Sequence, residues 1–337
     1  MLKKIAIIIL CLTLLPGAAA FAQAPKVLYD ANITTLFSSS ITNVYAKPDK
    51  GSKTLDSMKP GQSIRIVEVL PNYVGILLSN GKVGYVLRHR IENPVAVDPV
   101  KTPRFGTAVN RYYATVSQDT PVMSAPGGEG ETLITLHEGA QIGFLDIEDG
   151  WASTIFKRQY GFVDTRLLPA LEPVAPAAET GTQDIPIAVY NSFYTIVDTE
   201  ANNNRIINLK VCSERMSVTL NPGEALDFNN DVGPFWRSNG YLPAGALADG
   251  EWTMAYGGGS CQVSSTLYNV VLQLMGLTVL RRAPHSANGI SYLPHGVDAS
   301  SGALNFVFRN DYAFPVSIRA HVQDGSLFIA IYKGAPI

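Results

Sequence analysis

Charge and cysteine are both scarce in this sequence. Asp, Glu, Lys and Arg make up 16% of its 337 residues, and there are three cysteines. Low charge beside 46% apolar residues excludes a chain disordered throughout. Basic residues do not outnumber acidic ones, 26 against 28, so the electrostatic footprint of a nucleic-acid binder is missing. The apolar run at residues 5–15 falls well short of the roughly 20 residues a membrane-spanning helix needs. No Cys-x-x-Cys pair occurs, and the glycines at 257–259 have no Lys behind them. Paired-cysteine zinc sites and phosphate loops therefore lack their sequence signatures.

What is present begins with a leader. Lys3 and Lys4, the apolar run, the breakers Pro16 and Gly17, and then Ala20-Phe21-Ala22 have the form of a secretory signal peptide over residues 1–22. Cleavage after Ala22 removes two lysines, no acid and Cys11. The expected mature chain is exported to the periplasm or cell-wall space, mildly acidic and without stable membrane insertion. It keeps Cys212 and Cys261, for which a disulfide is one reading.

Self-comparison uncovers a duplication with an offset of 78. Val44-Tyr45-Ala46-Lys47-Pro48 aligns with Val122-Met123-Ser124-Ala125-Pro126, and Pro60-Gly61 with Glu138-Gly139; the offset slips by one where Gly84-Tyr85-Val86 meets Gly161-Phe162-Val163. Short alternating runs such as Ser63-Ile64-Arg65-Ile66-Val67-Glu68-Val69, separated by turn signals, predict strands. The order of these cues resembles bacterial SH3-like domains, which implies two small all-β barrels at residues 32–95 and 108–170. Such modules bind the cell wall or act as spacers. Tyr45, Tyr73 and Trp151 are either a sugar or peptide platform or core. Residues 171–186, rich in Pro, Ala and Thr, have no periodicity and are expected to be a linker. A third unit, residues 187–335, follows.

Its centre is Gly257-Gly258-Gly259-Ser260-Cys261-Gln262. The apolar positions Leu267, Val270, Val271, Leu274 and Met275 then keep helical spacing up to Gly276, with Ser260 as a plausible N-cap. Cys261 is thereby placed in the first turn, where free N–H groups and the helix dipole favour a thiolate and an oxyanion; the glycines let a substrate approach. Two histidines downstream, His285 and His295, are candidate bases.

These residues, together with Asn221-Pro222-Gly223-Glu224, Phe228-Asn229, Val232-Gly233-Pro234, Gly240-Tyr241, Thr266-Leu267-Tyr268-Asn269 and Pro284-His285-Ser286, resemble the VanW family. The likeness runs from about residue 188 to 333 and includes Arg205-x-x-Asn208 and Phe306-x-Phe308-x-Asn310. It implies a multidomain chain, two SH3-like barrels followed by an α+β VanW-like domain. It also implies an L,D-transpeptidase acting on peptidoglycan stem peptides, with Cys261 as nucleophile and His285 as base. Asp298 is the candidate for orienting His285, or else caps a turn. Gly258, Gly259, Ser260, Gln262, Arg282 and Tyr292 are expected to contact substrate, and neither metal nor other cofactor is required. Leu226-Asp227 and Phe235 depart from the family pattern, where Phe-Ser and Arg are usual.

Three other readings remain open. A Cys212–Cys261 disulfide would remove the nucleophile, although the spacing around Cys212 suggests burial as a small apolar side chain. Cys261, His285 and His295 could instead hold a metal ion. The whole chain could be a non-catalytic wall-binding scaffold.

Overall fold

The computed structural model describes residues 25–36, 40–248, 251–285 and 289–334; the side chains of 247, 248, 251 and 252 are not described. The expected signal peptide lies outside the described residues, as does Ser286. No helix among the described residues is long and apolar enough to cross a membrane.

The described residues form mostly antiparallel sheets with two α-helices. In the first unit, β1 (Tyr29–Ile33), β2 (Thr42–Tyr45), β3 (Thr54–Met58), β4 (Ser63–Val69), β5 (Tyr73–Leu77), β6 (Val83–Leu87) and β7 (Ile91–Ala96) form one sheet, ordered β3-β2-β6-β5-β4-β1-β7. The second comprises β8 (Tyr112–Thr115), β9 (Thr120–Met123), β10 (Thr132–Leu136), β11 (Gln141–Phe144), β12 (Asp146–Glu148), β13 (Trp151–Phe156), β14 (Gln159–Asp164) and β15 (Glu172–Pro173). They split into β10-β9-β14-β13-β12 and β11-β8-β15.

The duplication survives in three dimensions. β2 and β9 differ by 78 residues, as do β3 and β10, and the pair Tyr29↔Ile66 is matched by Tyr112↔Phe144. Gly84 and Gly161 show why the motif recurs. A Cβ would come within 2.4 Å of Val44 Cγ1 at Gly84 and within 2.6 Å of Val122 Cγ1 at Gly161, so each core valine requires a glycine opposite.

The expectation of closed barrels needs correction. β3 and β7, the ends of the first sheet, do not pair with each other, and β2 meets β6 through the single pair Tyr45↔Tyr85. Register shifts in β1 and β4 curl the sheet without closing it. Tyr73 is buried and Tyr45 and Trp151 are half-buried, so the three rings form no exposed platform.

The third unit begins with β16 (Pro186–Phe193), α1 (Glu200–Met216), β17 (Thr219–Leu220) and β18 (Ala225–Asp227). The hairpin β19 (Pro243–Ala248) and β20 (Glu251–Tyr256), α2 (Ser260–Leu272), β21 (Leu277–Arg281) and β22 (Val307–Asn310) follow. β23 (Val316–Gln323) and β24 (Ser326–Lys333) close the chain. The sheet β16-β24-β23-β17 carries both helices on one face. All eight residues of β16 are buried, with no alternation, because its other face is covered too. Tyr190 and Ser192 face the helices, while Phe193 completes the second unit's core and Asn191 Oδ1 accepts from Gly143 N–H at 2.9 Å.

Residues 171–186 are likewise docked. Glu172 and Pro173 pair with Tyr113 and Tyr112, and Val174 packs on the Tyr113–Phe328–Tyr332 cluster. The connector between the first two units is stapled to the far end of α2. Arg104 donates to the carbonyls of Val271 (3.0 Å) and Leu277 (2.8 Å), and Asn110 N–H to Gln273 Oε1 (3.2 Å).

Candidate active site

Helix α2 starts where the glycine run ends. Its N-cap is Gly259, at φ +111°, and Ser260 is the first helical residue rather than the expected cap. The glycines allow close packing inside the protein. A Cβ on Gly258 would meet the Ala244 carbonyl oxygen at 2.4 Å, one on Gly257 would strike Phe235, and all three glycines are buried. The helix ends at Leu272, earlier than its apolar spacing suggests; Met275 is exposed, and its carbonyl accepts from Arg104.

Cys261 is half-buried in the first turn. Of the amides beside it, Ser260 N–H is taken by Gly257 O at 2.9 Å and Gln262 N–H by Gly259 O at 2.8 Å, so neither serves an oxyanion. The sulfur faces Ser301 instead. It accepts from Ser301 N–H (3.4 Å), and the single hydroxyl proton of Ser301 is shared between the sulfur (3.5 Å) and Ser260 Oγ (3.0 Å).

The structure brings Cys261, His285 and Asp298 together. The imidazole of His285 is hydrogen-bonded to the Cys261 sulfur. Its Nδ1 is 2.8 Å from Asp298 Oδ2, which leaves Nε2 for the sulfur, and its backbone N–H donates to the same oxygen at 2.7 Å. The buried Asp298 is held on its other oxygen by Arg282 Nη2 at 3.2 Å, while Arg282 Nε donates to the Asp298 backbone carbonyl at 2.7 Å. Arg282, expected at the substrate, thus spends its guanidinium on positioning the acid. His295 stands apart, its ring 6.1 Å from that of His89 in the first unit.

A polar stripe on an otherwise buried helix achieves this assembly. Ser264 Oγ and Ser265 Oγ donate to Ala299 O (2.6 and 3.0 Å), Ala299 N–H returns a bond to Ser265 Oγ (3.0 Å), and Asn269 Nδ2 donates to Val297 O (2.7 Å). One helix therefore carries the thiol and also grips the segment bearing Asp298 and Ser301. Every buried polar group in the stripe has a partner.

Electrostatics follow from this geometry. Burial pushes the Cys261 thiol up, but the hydrogen bond and charge of His285, with the donors of Ser301, outweigh it and hold the thiol below its ordinary range. Burial disfavours the His285 cation; Asp298 and then Cys261 more than offset this and push its pKa up to about 9. For Asp298, burial works upward, while the hydrogen bonds from His285 and the charge of Arg282 keep the carboxyl below its ordinary range. The arrangement favours a thiolate beside an imidazolium, a nucleophile with its proton already on the base.

Gln262, also expected at the substrate, is buried with its amide saturated. Nε2 donates to Ser192 Oγ (3.0 Å) and Phe193 O (3.1 Å), and Oε1 accepts from Arg205 Nη2 at 2.8 Å. Tyr292 is hydrogen-bonded to Ser265, and its phenol lies within the electrostatic reach of Cys261 and Arg205. Leu226 and Phe235, where the sequence departs from the family pattern, belong to or pack on the core, with Phe235 edge-on to Tyr241 at 5.2 Å. Asp227 caps the next turn by accepting from Asn230 N–H.

Ser301 and Arg205 are the neighbours of the thiol that sequence reasoning did not single out as site residues. Ser301 carries no distinctive spacing, although the buried Ser-Ser-Thr run after Cys261 signals that something polar docks on α2. Both thiols are free. Among the described residues no cluster of three or more His, Cys, Asp or Glu can hold a metal ion.

A two-helix layer on a small sheet, with a Cys–His–Asp chain at a helix start, defines the class of the third unit, and residues 204–332 match the family of VanW-like proteins. Among curated proteins, the chain is similar to the uncharacterized protein YoaR of Bacillus subtilis (strain 168). The two are 36% identical over 143 residues, which is 42% of this chain and 46% of that protein. It is also similar to the vancomycin B-type resistance protein VanW of Enterococcus faecalis (strain ATCC 700802 / V583), 31% identical over 131 residues, or 37% and 47% of the two chains. The chain thus spans about half the length of the curated relatives it matches.

Among solved structures, NlpC1 from Trichomonas vaginalis aligns over 93% of this chain and 98% of its own, at 10% identity and a TM-score of 0.18. An NlpC/P60 family protein from Bacillus cereus ATCC 10987 aligns over 44% and 60%, at 12% identity and a TM-score of 0.16.

Proposed function

We propose that this is an exported, peptidoglycan-associated protein whose VanW-like unit is a cysteine-dependent L,D-transpeptidase. The observation that carries the reading is the hydrogen-bonded series Cys261–His285–Asp298, with its lowered thiol, at the start of α2. The wall context is supported by the likeness to a vancomycin resistance protein and by the leader at residues 1–22. The two repeats read as SH3-like modules (32–95 and 108–170) that hold the wall beside the catalytic unit.

The reaction opens with the Cys261 thiolate attacking the carbonyl carbon of the third residue of a wall tetrapeptide. As the carbon–nitrogen bond to the terminal residue breaks, the leaving amine takes the proton from His285, and a thioester and a neutral imidazole result. A side-chain amine of a second stem then attacks the thioester and gives its proton to His285; the carbon–sulfur bond breaks and the thiolate–imidazolium pair is restored. Asp298 holds the imidazole and stabilises its charged form, and Arg282 positions Asp298.

The test is incubation of the mature protein and its Cys261→Ala variant with purified disaccharide-tetrapeptides, followed by mass spectrometry of products and intact protein. Cross-linked dimers or an acyl adduct that require Cys261 support the reading. Unchanged tetrapeptides from a protein that still binds sacculi would leave a wall-binding scaffold in its place.

A further inference from the structure

We infer that Arg205 is the carboxylate-recognition group of the Cys261 site, so that the acyl donor carries a free carboxylate one residue beyond the carbonyl the sulfur attacks. The inference rests on Cys261 being the nucleophile and names the feature of the substrate that the site selects.

Arg205 approaches the first turn of α2, beside Cys261, from α1. Its stem crosses Gly259, where a Cβ would stand 3.2 Å from Arg205 Cγ, and its Nη2 donates to the side chain of Gln262, the residue following Cys261. The guanidinium interacts electrostatically with both Cys261 and Tyr292. Gln262 is itself pinned by Ser192 and Phe193, so the guanidinium is held in a fixed place rather than sweeping solvent.

The charge nevertheless has no carboxylate partner. Among the described residues no ion pair involves Arg205, whereas Arg282, the other guanidinium near the site, is paired with Asp298. The hydrogen bond described for Arg205 goes to a neutral amide oxygen, one acceptor for a group with five N–H donors. A half-buried, fixed guanidinium without an acid gains most from a carboxylate, which it binds through paired charge-assisted hydrogen bonds. In a peptide cleaved before its last residue, that residue's terminal carboxylate is one residue's length, about 3.8 Å between Cα atoms, past the scissile carbonyl. A carboxylate at this position would also select a stem whose leaving residue is terminal over one that continues.

Alkylation of Cys261 by iodoacetate and by iodoacetamide, read on the Cys261 peptide by mass spectrometry, tests the inference without any wall substrate. Both reagents need the same thiolate, so the ratio of their rates, normalised to N-acetylcysteine, reports only the preference for a carboxylate. The wild-type ratio is expected to exceed that of the free thiol. Arg205→Gln should lower it about tenfold, as expected when one unscreened charge near the thiol is removed, and Arg205→Lys should restore most of it. A wild-type ratio no higher than that of the free thiol, or a ratio unchanged in folded Arg205→Gln, overturns the inference. If Arg205→Gln does not fold, His285→Gln decides, since it removes the imidazolium and leaves Arg205: a ratio that stays above that of the free thiol supports the inference, and one that falls to it overturns the inference. A shifted ratio in a protein that leaves tetrapeptides untouched would keep the carboxylate site while removing the transpeptidase reading.

Discussion

The two helices of the third unit each carry one thiol, and their surroundings differ in almost every respect. Cys212 sits mid-helix in α1, fully buried among Leu209, Met216 and their neighbours, with the Tyr241 hydroxyl 3.6 Å away as its polar contact. Burial pushes its pKa up to about 12, and the Tyr241 hydrogen bond recovers only part of the rise. Cys261 is half-buried, and although burial raises its thiol too, the thiol is lowered, because an imidazole and the donors of Ser301 meet the sulfur. The difference is one of partners more than of depth: reactivity comes from what faces the sulfur.

The strongest way to break that comparison is to delete each thiol in turn. Cys261→Ala should abolish labelling at that position and lower any acyl-transfer rate by about 10⁴-fold or more, as loss of a nucleophile does; Cys212→Ala should keep the wild-type rate. Equal losses from the two variants, measured in one assay, would show the contrast to be irrelevant to activity.

Next in size is the base. With His285→Gln the burial of Cys261 remains while its charge partner goes. Its thiol should then titrate at or above about 8.5, the free-cysteine value, and its iodoacetamide rate at pH 7 should fall, by at most about thirtyfold, the limit set by the thiolate fraction at that pKa. A pH–alkylation profile unmoved by this substitution would place the cause of the lowered pKa elsewhere.

A subtler effect appears in thermal stability against pH. The His285 pKa is raised, so its contribution is complete below about 6.5, the unfolded value, and is lost as pH climbs through about 9. The Cys261 pKa is lowered, so its contribution is complete above the unfolded thiol value of about 8.5 and is lost as pH falls through the folded one. The two slopes oppose each other below about 8.5, where both shifts act, and there melting temperature should vary less with pH than the histidine alone would make it. Cys261→Ala should expose the histidine slope, a melting temperature that declines steadily above about 6.5. A flat profile in the variant would argue against the ion pair.

The smallest effect belongs to Cys212. Its replacement by Ala removes one buried sulfur and should cost about 1 kcal/mol in denaturant unfolding, with Cys261 labelling unaltered.

The sequence was most legible where one residue's chemistry dictates its surroundings. The duplication could be read because a glycine must face Val44 and Val122 in turn, and the start of α2 because three glycines give way to helical spacing. What could not be read was which polar side chains are used up internally. Gln262 and Arg282 have the chemistry of substrate contacts, but Ser192, Phe193 and Asp298, each distant in sequence, consume them. Arg205 is the converse case, an ordinary helical arginine until folding lays it across Gly259. The unbroken burial of β16 was equally hidden, since nothing local states that a second unit will cover its outer face.

That covered strand bears on ancestry and exchange. Phe193 belongs to β16 yet fills the core of the unit before it, Asn110 Nδ2 donates to Val189 O at 2.8 Å, and Arg104 closes the end of the helix that begins beside Cys261. A recombination breakpoint in residues 171–186 would fall in a composition typical of spacers but would split a shared hydrophobic core. Grafting either part onto a new partner would therefore require a matched β16 as well as an intact site.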